Sequence, residues 1–394
     1  MISARYLILI PALGPLVYYA LAILSGWKYF RRLKQLPPFD RTFAPPVSIL
    51  KPVRGVDREA YANFASMCAL DYPEYEIVFA VGETDDPVIS LIEKLRREFP
   101  TTAIRLVAGV EQIGFSPKMN NLCRLVKEAK YDLLVINDSD VRVENDYLRD
   151  AVAPFADPKV GVVTAFFRGL TEGGFAADVD AVGVPTDSSA STLVAQKLGA
   201  IDFALGWTMA ITKERLAEIG GFEVMINHHS DDFTLGNEVA KKGYRVELMR
   251  KAVWMVFPNE TLRQFLKHEL RWSIMLRNIR PAGYASLFMT FGLAWTVLVA
   301  LIVPTWKIAA AYALLYLALR LAVAWLIGVS IIDDPVVRRK LWLVPVRDAL
   351  NLCVYLASFF SNTVQWRGLP YRVKGSSLIP PDAHAGVALV APKE

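Results

Sequence analysis

Long apolar stretches frame a middle section in which short apolar runs alternate with helical patterns. Residues 6–23 carry no charge, and residues 284–303 and 308–332 are each long enough to cross a hydrocarbon core, the last with Arg320 as its one charge. A signal peptide would suit the first stretch, but its exit, Trp27-Lys28-Tyr29-Phe30-Arg31-Arg32, lacks a small-residue cleavage pattern, so an uncleaved anchor is expected. Residues 341–364 are apolar but interrupted by Arg347 and Asp348, and spanning would put Arg367, Arg372 and Lys374 on the far side, so a re-entrant or interfacial course is expected.

Between the membrane stretches the pattern predicts strands at 47–50, 76–81, 104–107, 133–136, 160–165 and 206–211. Helical periodicity fills the gaps at 58–69, 87–99, 117–129 and 147–155. Strand, helix, strand in repetition means an α/β domain with a mostly parallel sheet. Paired prolines at 37–38 and 45–46 mark a stiff linker before it. From 166 to 201 the periodicity weakens; such a region is expected to shape an acceptor side, without chemistry of its own. Residues 260–280 form a basic amphipathic helix of interfacial type. The chain therefore divides into an N-terminal anchor (1–26), a linker (27–45), the α/β domain (46–258), the interfacial helix (259–282), C-terminal membrane segments (283–366) and a tail (367–394), expected to be disordered from Pro380.

Charge orients this plan. Lys28, Arg31, Arg32 and Lys34 follow the first apolar segment against Arg5 before it, which places the central domain in the cytoplasm. The net charge of +5 is modest and clusters near membrane segments; it suits anionic headgroups, and no aromatic-basic module for nucleic acid is visible. Cys68, Cys123 and Cys353 are too scattered for a disulfide framework or a zinc site.

The strand at 133–136 runs straight into Asp138-Ser139-Asp140. Ligands of open α/β sheets bind beyond the carboxyl ends of strands, and residues i and i+2 of an extended segment share a side, so Asp138 and Asp140 can converge on one divalent cation. Asp178-Val179-Asp180 repeats the triplet without that context. Asp86 precedes Pro87 at the end of another strand, where an N-cap is the plainer role. Ser116-Pro117-Lys118 opens a helix whose N-terminus and lysine suit phosphate. Asp231 and Asp232 likewise start a helix, after His228-His229, whose adjacent rings are poorly placed to chelate one ion.

Taken together and in order, Asp86, Asp138-Ser139-Asp140, Asp232 and Arg271-Trp272 resemble the ceramide glucosyltransferase family and its bacterial hopanoid-biosynthesis relatives. The likeness extends through Leu50-Lys51-Pro52-Val53-Arg54-Gly55-Val56-Asp57, Ser116-Pro117-Lys118-Met119-Asn120-Asn121-Leu122 and Trp366-Arg367-Gly368-Leu369-Pro370-Tyr371-Arg372. It implies a GT-A fold and an inverting membrane hexosyltransferase. On that pattern Asp86 holds the uridine, Asp138 the nucleotide and, with Asp140, Mg2+ or Mn2+. Asp232 is the catalytic base, and His268, Arg271 and Trp272, with Lys118, meet the donor diphosphate. His268 stands where the family normally has glutamine or arginine. A UDP-sugar donor, of glucose or N-acetylglucosamine, and a membrane lipid acceptor follow. Several ceramide-specific members carry a histidine where this chain reads Pro185-Thr186-Asp187-Ser188, which favours a hopanoid over ceramide. A processive polysaccharide synthase would share the carboxylates but needs more spans for its channel. A non-enzymatic sugar-nucleotide sensor would have no need of the base.

Overall fold

A computed structural model describes residues 4–366 and 369–379, so the stretch from Pro380 and part of the 366–372 motif lie outside the described residues. After helix α1 (Leu13–Gln35), the chain alternates β1 (Val47–Pro52), α2 (Ala60–Met67), β2 (Tyr75–Ala80), α3 (Val88–Glu98), β3 (Ala103–Val107), α4 (Pro117–Glu128) and β4 (Leu133–Asn137). Then come β5 (Val141–Arg142), α5 (Tyr147–Val152), β6 (Val160–Thr164), β7 (Phe167–Leu170), α6 (Phe175–Thr186), α7 (Ser188–Lys197), β8 (Thr208–Thr212), α8 (Lys213–Glu218), α9 (Asp231–Lys241), β9 (Arg245–Leu248) and β10 (Val253–Val256). The C-terminal part holds α10 (Leu262–Ile279), α11 (Pro281–Ser286), α12 (Gly292–Ile302), α13 (Trp306–Val323), α14 (Pro335–Arg339), α15 (Leu343–Ser358) and the strands β11 (Thr363–Trp366), β12 (Leu369–Lys374) and β13 (Ser377–Ile379).

The main sheet runs β3-β2-β1-β4-β8-β6-β9, parallel except where β8 pairs antiparallel with β4 and β6. Both its faces are covered, and alternation along each strand feeds both. Leu133 and Val135 of β4 join the core on one side, Leu134 and Ile136 that on the other, and Ile49/Leu50 and Ile77/Val78 divide the same way. Each such fully buried side chain contributes roughly 1.5–3 kcal/mol, which is why these strands read as unbroken apolar runs. The strand order reverses between β1 and β4, so the loops leaving their carboxyl ends diverge and open a crevice. Two smaller sheets, β5-β10-β7 and β11-β12-β13, flank the domain.

The weakly patterned region proves helical. Helix α6 buries residues around nearly its whole circumference, so it carries no polar stripe to reveal a helical period. Its partner α7 packs on α1.

Among the described residues, two helical stretches, Ala4–Gln35 and Trp306–Ile331, are long and apolar enough to cross a membrane. The expected span at 284–303 is instead broken: Pro281–Thr290 and Gly292–Ile302 meet at 58°. Tyr19 of α1 makes the break tolerable, its hydroxyl donating to Thr290 O at 3.1 Å and accepting from Gly292 N–H at 3.4 Å. The charges that interrupted the apolar runs find one another. Arg320, 2% exposed, pairs with Asp348 at 2.9 Å and with Asp187, and Tyr316 donates to Asp348 at 2.6 Å. Arg347 pairs with Glu269 of α10. Helix α15 is thereby docked on α6 and α10.

Candidate active site

The crevice between β1 and β4 is built on a buried lysine. Lys51, fully buried at the end of β1, donates from Nζ to Asn137 Oδ1 at 2.6 Å and to the backbone oxygen of Asp138. Burial pushes its pKa down to about 7, against the pull of Asp140, Asp138 and Asp57. The turn is pinned further by Asp138 N–H donating to Trp207 O at 3.1 Å and by a Ser139 Oγ bond to Asp57. Asp138 and Asp140 then face a cleft of about 260 Å³ that Arg54, Lys118 and Asn121 also line. Asp140 Oδ1 is buried and accepts no hydrogen bond. Burial, and then the Asp138 charge, push the Asp140 pKa up to about 7. A hard divalent cation is what such an orphaned carboxylate oxygen beside a second carboxylate accommodates, so the donor set fits one.

Lys118 closes the cleft from the other side. Ser116 caps α4, its side chain accepting from Met119 N–H at 3.4 Å, with Pro117 in the first turn. That cap sets Lys118 on the first turn, with Nζ 2.9 Å from Asp138 Oδ1 and 2.9 Å from Asp231 Oδ2. Burial works against the ammonium, but Asp138 and Asp231 outweigh it and hold its pKa well above the ordinary value. Beside Asp231, the Asp232 Oδ1 accepts from Phe233 N–H at 2.7 Å. A Cβ on Gly206 would lie 3.0 Å from Asp232 Oδ2, so the glycine leaves that oxygen its room. Burial, then the Asp231 charge, push the Asp232 pKa up to about 7, within reach of a base working near neutrality.

A mostly parallel sheet carries a paired-aspartate turn at its switch point, and the sequence pattern described as Glycosyl transferase family 21 matches residues 7–379. The chain belongs to glycosyl transferase family 21. It is 27% identical over 231 residues to ceramide glucosyltransferase 3 of Caenorhabditis elegans, covering 58% of this chain and 50% of that one. It is 24% identical over 288 residues to ceramide glucosyltransferase 1 of the same organism, covering 70% and 61%. The chain thus spans between half and about three fifths of the length of these relatives. A mannosyltransferase from Pyrobaculum calidifontis, solved in complex with GDP-Man and Mn2+, shares the fold with a TM-score of 0.54 at 20% identity, covering 90% of this chain and 99% of that one. The fold is of the GT-A kind that the sequence led us to expect.

The other residues singled out in this family 21 chain are distributed unevenly. Asp86 is 5% exposed and its carboxylate accepts from Gly55 N–H at 2.9 and 3.0 Å and from Val88 N–H at 2.9 Å, tying the loop after β1 to the start of α3. Among the described residues His268, Arg271 and Trp272 do not line the 260 Å³ cleft. They lie on α10, where Trp272 Nε1–H donates to His268 Nε2 at 2.7 Å and the Arg271 guanidinium lies 5.9 Å from the Trp272 ring centre. The histidine pair anchors the C-terminal sheet: His229 N–H donates to Ser376 O at 3.0 Å, its Nε2 meets Gly375 O at 3.1 Å, and His228 bridges to Ser377. Burial pushes the His229 pKa down to about 4, so this contact is made by a neutral ring.

Sequence reading names Lys51 only within the Leu50-to-Asp57 motif and gives it no role of its own; its signal is a lysine directly after the apolar pair Ile49-Leu50. It sets Asp180 aside as part of a repeated triplet that lacks the strand context of Asp138 and Asp140. The Asp180 side chain, 6% exposed on α6, comes within 4.8 Å of Glu260 and His268. Its sequence neighbour Asp178 pairs with Lys340 instead, because residues two apart diverge on a helix.

Proposed function

We propose that this chain transfers a hexose from a UDP-sugar to the hydroxyl of a membrane lipid, with inversion at the anomeric carbon. One observation supports the reading: Lys118 lies 2.9 Å from both Asp138 and Asp231, so one side chain links the aspartate pair ending β4 to the carboxylates opening α9. A divalent cation held by Asp138 and Asp140 supplies Lewis-acid stabilisation of the diphosphate that leaves. Lys118 neutralises the same developing charge, and Arg271 with Trp272 meets it from α10. Asp232 takes the proton of the attacking hydroxyl. A single displacement with one base turns an α-linked donor into a β-linked product. Asp86 holds the uridine, and His268 supports the face of α10 that Arg271 and Trp272 turn to the diphosphate.

The membrane helices flanking the domain suit a lipid acceptor taken from the bilayer, with the α/β domain on the cytoplasmic side. A polyol-bearing hopanoid is the acceptor we favour over ceramide, with glucose or N-acetylglucosamine as the sugar. The favoured acceptor rests on the residues at Pro185 to Ser188. Incubating membranes that contain the protein with labelled UDP-glucose and UDP-N-acetylglucosamine, and identifying the product by mass spectrometry, tests this reading. The expected product is one β-linked hexose on one hopanoid. Glucosylceramide as the sole product would refute the hopanoid assignment alone, and a long polysaccharide would refute the single transfer.

A further inference from the structure

His268 and Trp272 stand one turn apart on α10, the spacing at which helical side chains meet. The Trp272 ring is 44% exposed, so packing alone does not hold it in one rotamer. Its indole N–H can only donate, and it donates to His268 Nε2 at 2.7 Å. An imidazole accepts at that atom only while neutral. Burial and then the Arg271 guanidinium lower the His268 pKa, against Glu269, with Arg347 adding to the lowering. A neutral ring that accepts at Nε2 carries its proton on Nδ1. Asp180 of α6 and Glu260 of the loop before α10 each bring a carboxylate oxygen to within 4.8 Å of a His268 ring nitrogen and of each other. With its lone pair engaged by Trp272, His268 is a hydrogen-bonding member of this group and does not complete a three-ligand metal site.

We propose that His268 is a positioning residue, which fixes the exposed indole of Trp272 in one orientation for donor binding and makes no contact with the nucleotide itself. The proposal rests on the reading above that Trp272 meets the donor diphosphate.

A mutant cycle on the full-length enzyme in detergent tests it, with KM for the UDP-sugar and kcat measured separately. His268→Leu, which keeps bulk and removes the acceptor, should raise the donor KM about fivefold, the worth of one neutral hydrogen bond, with kcat little changed. His268→Gln offers a carbonyl oxygen to the same N–H and should restore the wild-type KM. In a Trp272→Phe background, which has no N–H, His268→Leu should add nothing. Effects of the two substitutions that multiply would overturn the proposal, since His268 would then act independently of Trp272. A wild-type KM in Trp272→Phe would overturn it as well. Neither result touches the transfer reaction, which UDP release by the wild-type protein with its lipid product judges separately.

Discussion

Replacing Asp232 by asparagine separates chemistry from binding. The amide keeps the shape of the carboxylate: its oxygen can still accept from Phe233 N–H, now at 2.7 Å, and its other atom fits the room left by Gly206. The two 2.9 Å ion pairs of Lys118, to Asp138 and Asp231, do not involve Asp232 and persist. Donor binding should therefore change by less than about threefold, and removing one negative charge next to Asp231 acts, if anything, to tighten it. What disappears is the proton acceptor. General-base catalysis is worth about 10²–10⁴-fold, so kcat should fall by that factor, roughly 3–5 kcal/mol in the barrier. The pH profile carries a second signature. With the pKa of Asp232 raised to about 7 by burial and Asp231, the base is protonated and idle below that pH, and the wild-type rate rises as pH passes upward through it. Asp140, also raised to about 7, must ionise in the same direction, so the profile is recorded at saturating Mn2+ to isolate Asp232. The assay is UDP release with a lipid extract, paired with UDP binding by calorimetry. Turnover within tenfold of wild type, or a variant that keeps the full rising limb, would refute the assignment of Asp232 as base.

Asp138→Ala and Asp140→Ala should each abolish most activity, and EDTA should mimic them with recovery on adding Mg2+ or Mn2+; activity indifferent to thorough metal stripping would rule out the cation. Lys118→Met removes the cation bridging Asp138 and Asp231 and should raise the donor KM by about 10–100-fold, measured by initial rates at fixed acceptor. Arg320→Leu strands the half-buried carboxylates of Asp348 and Asp187 without their partner and should cost about 3–5 kcal/mol, read as a lowered thermal midpoint in detergent; an unchanged midpoint would show the network to be dispensable. His229→Ala loses the contacts of its ring to Gly375 O at 3.1 Å and Ser230 Oγ at 2.8 Å and should speed proteolysis after α15, with the α/β domain left intact on a gel.

Local pattern determined much of this protein without any tertiary information. Strand β4 announced itself as a run buried on both faces, the turn Asp138-Ser139-Asp140 as its exit, Ser116-Pro117 as a helix start, and the first apolar stretch and that around Arg320 as helices long enough to cross a membrane, because burial, capping and length are properties of consecutive residues. The partners across the chain were decided only by its return. Nothing adjacent to Lys118 indicates that it reaches both Asp138 and Asp231, and nothing around Lys51 shows that it lies beneath the Asp138 turn. Helix α6 stayed invisible for a physical reason: a helix buried on all sides has no amphipathic period, so the fold had to reveal it. Arg320, Arg347 and Asp348 looked like interruptions of apolar segments, since a lone charge in hydrocarbon is costly. They are tolerated because α6, α10, α13 and α15 bring Asp187, Glu269 and one another into contact, and a buried charge is decided by its partner, which sequence position does not specify.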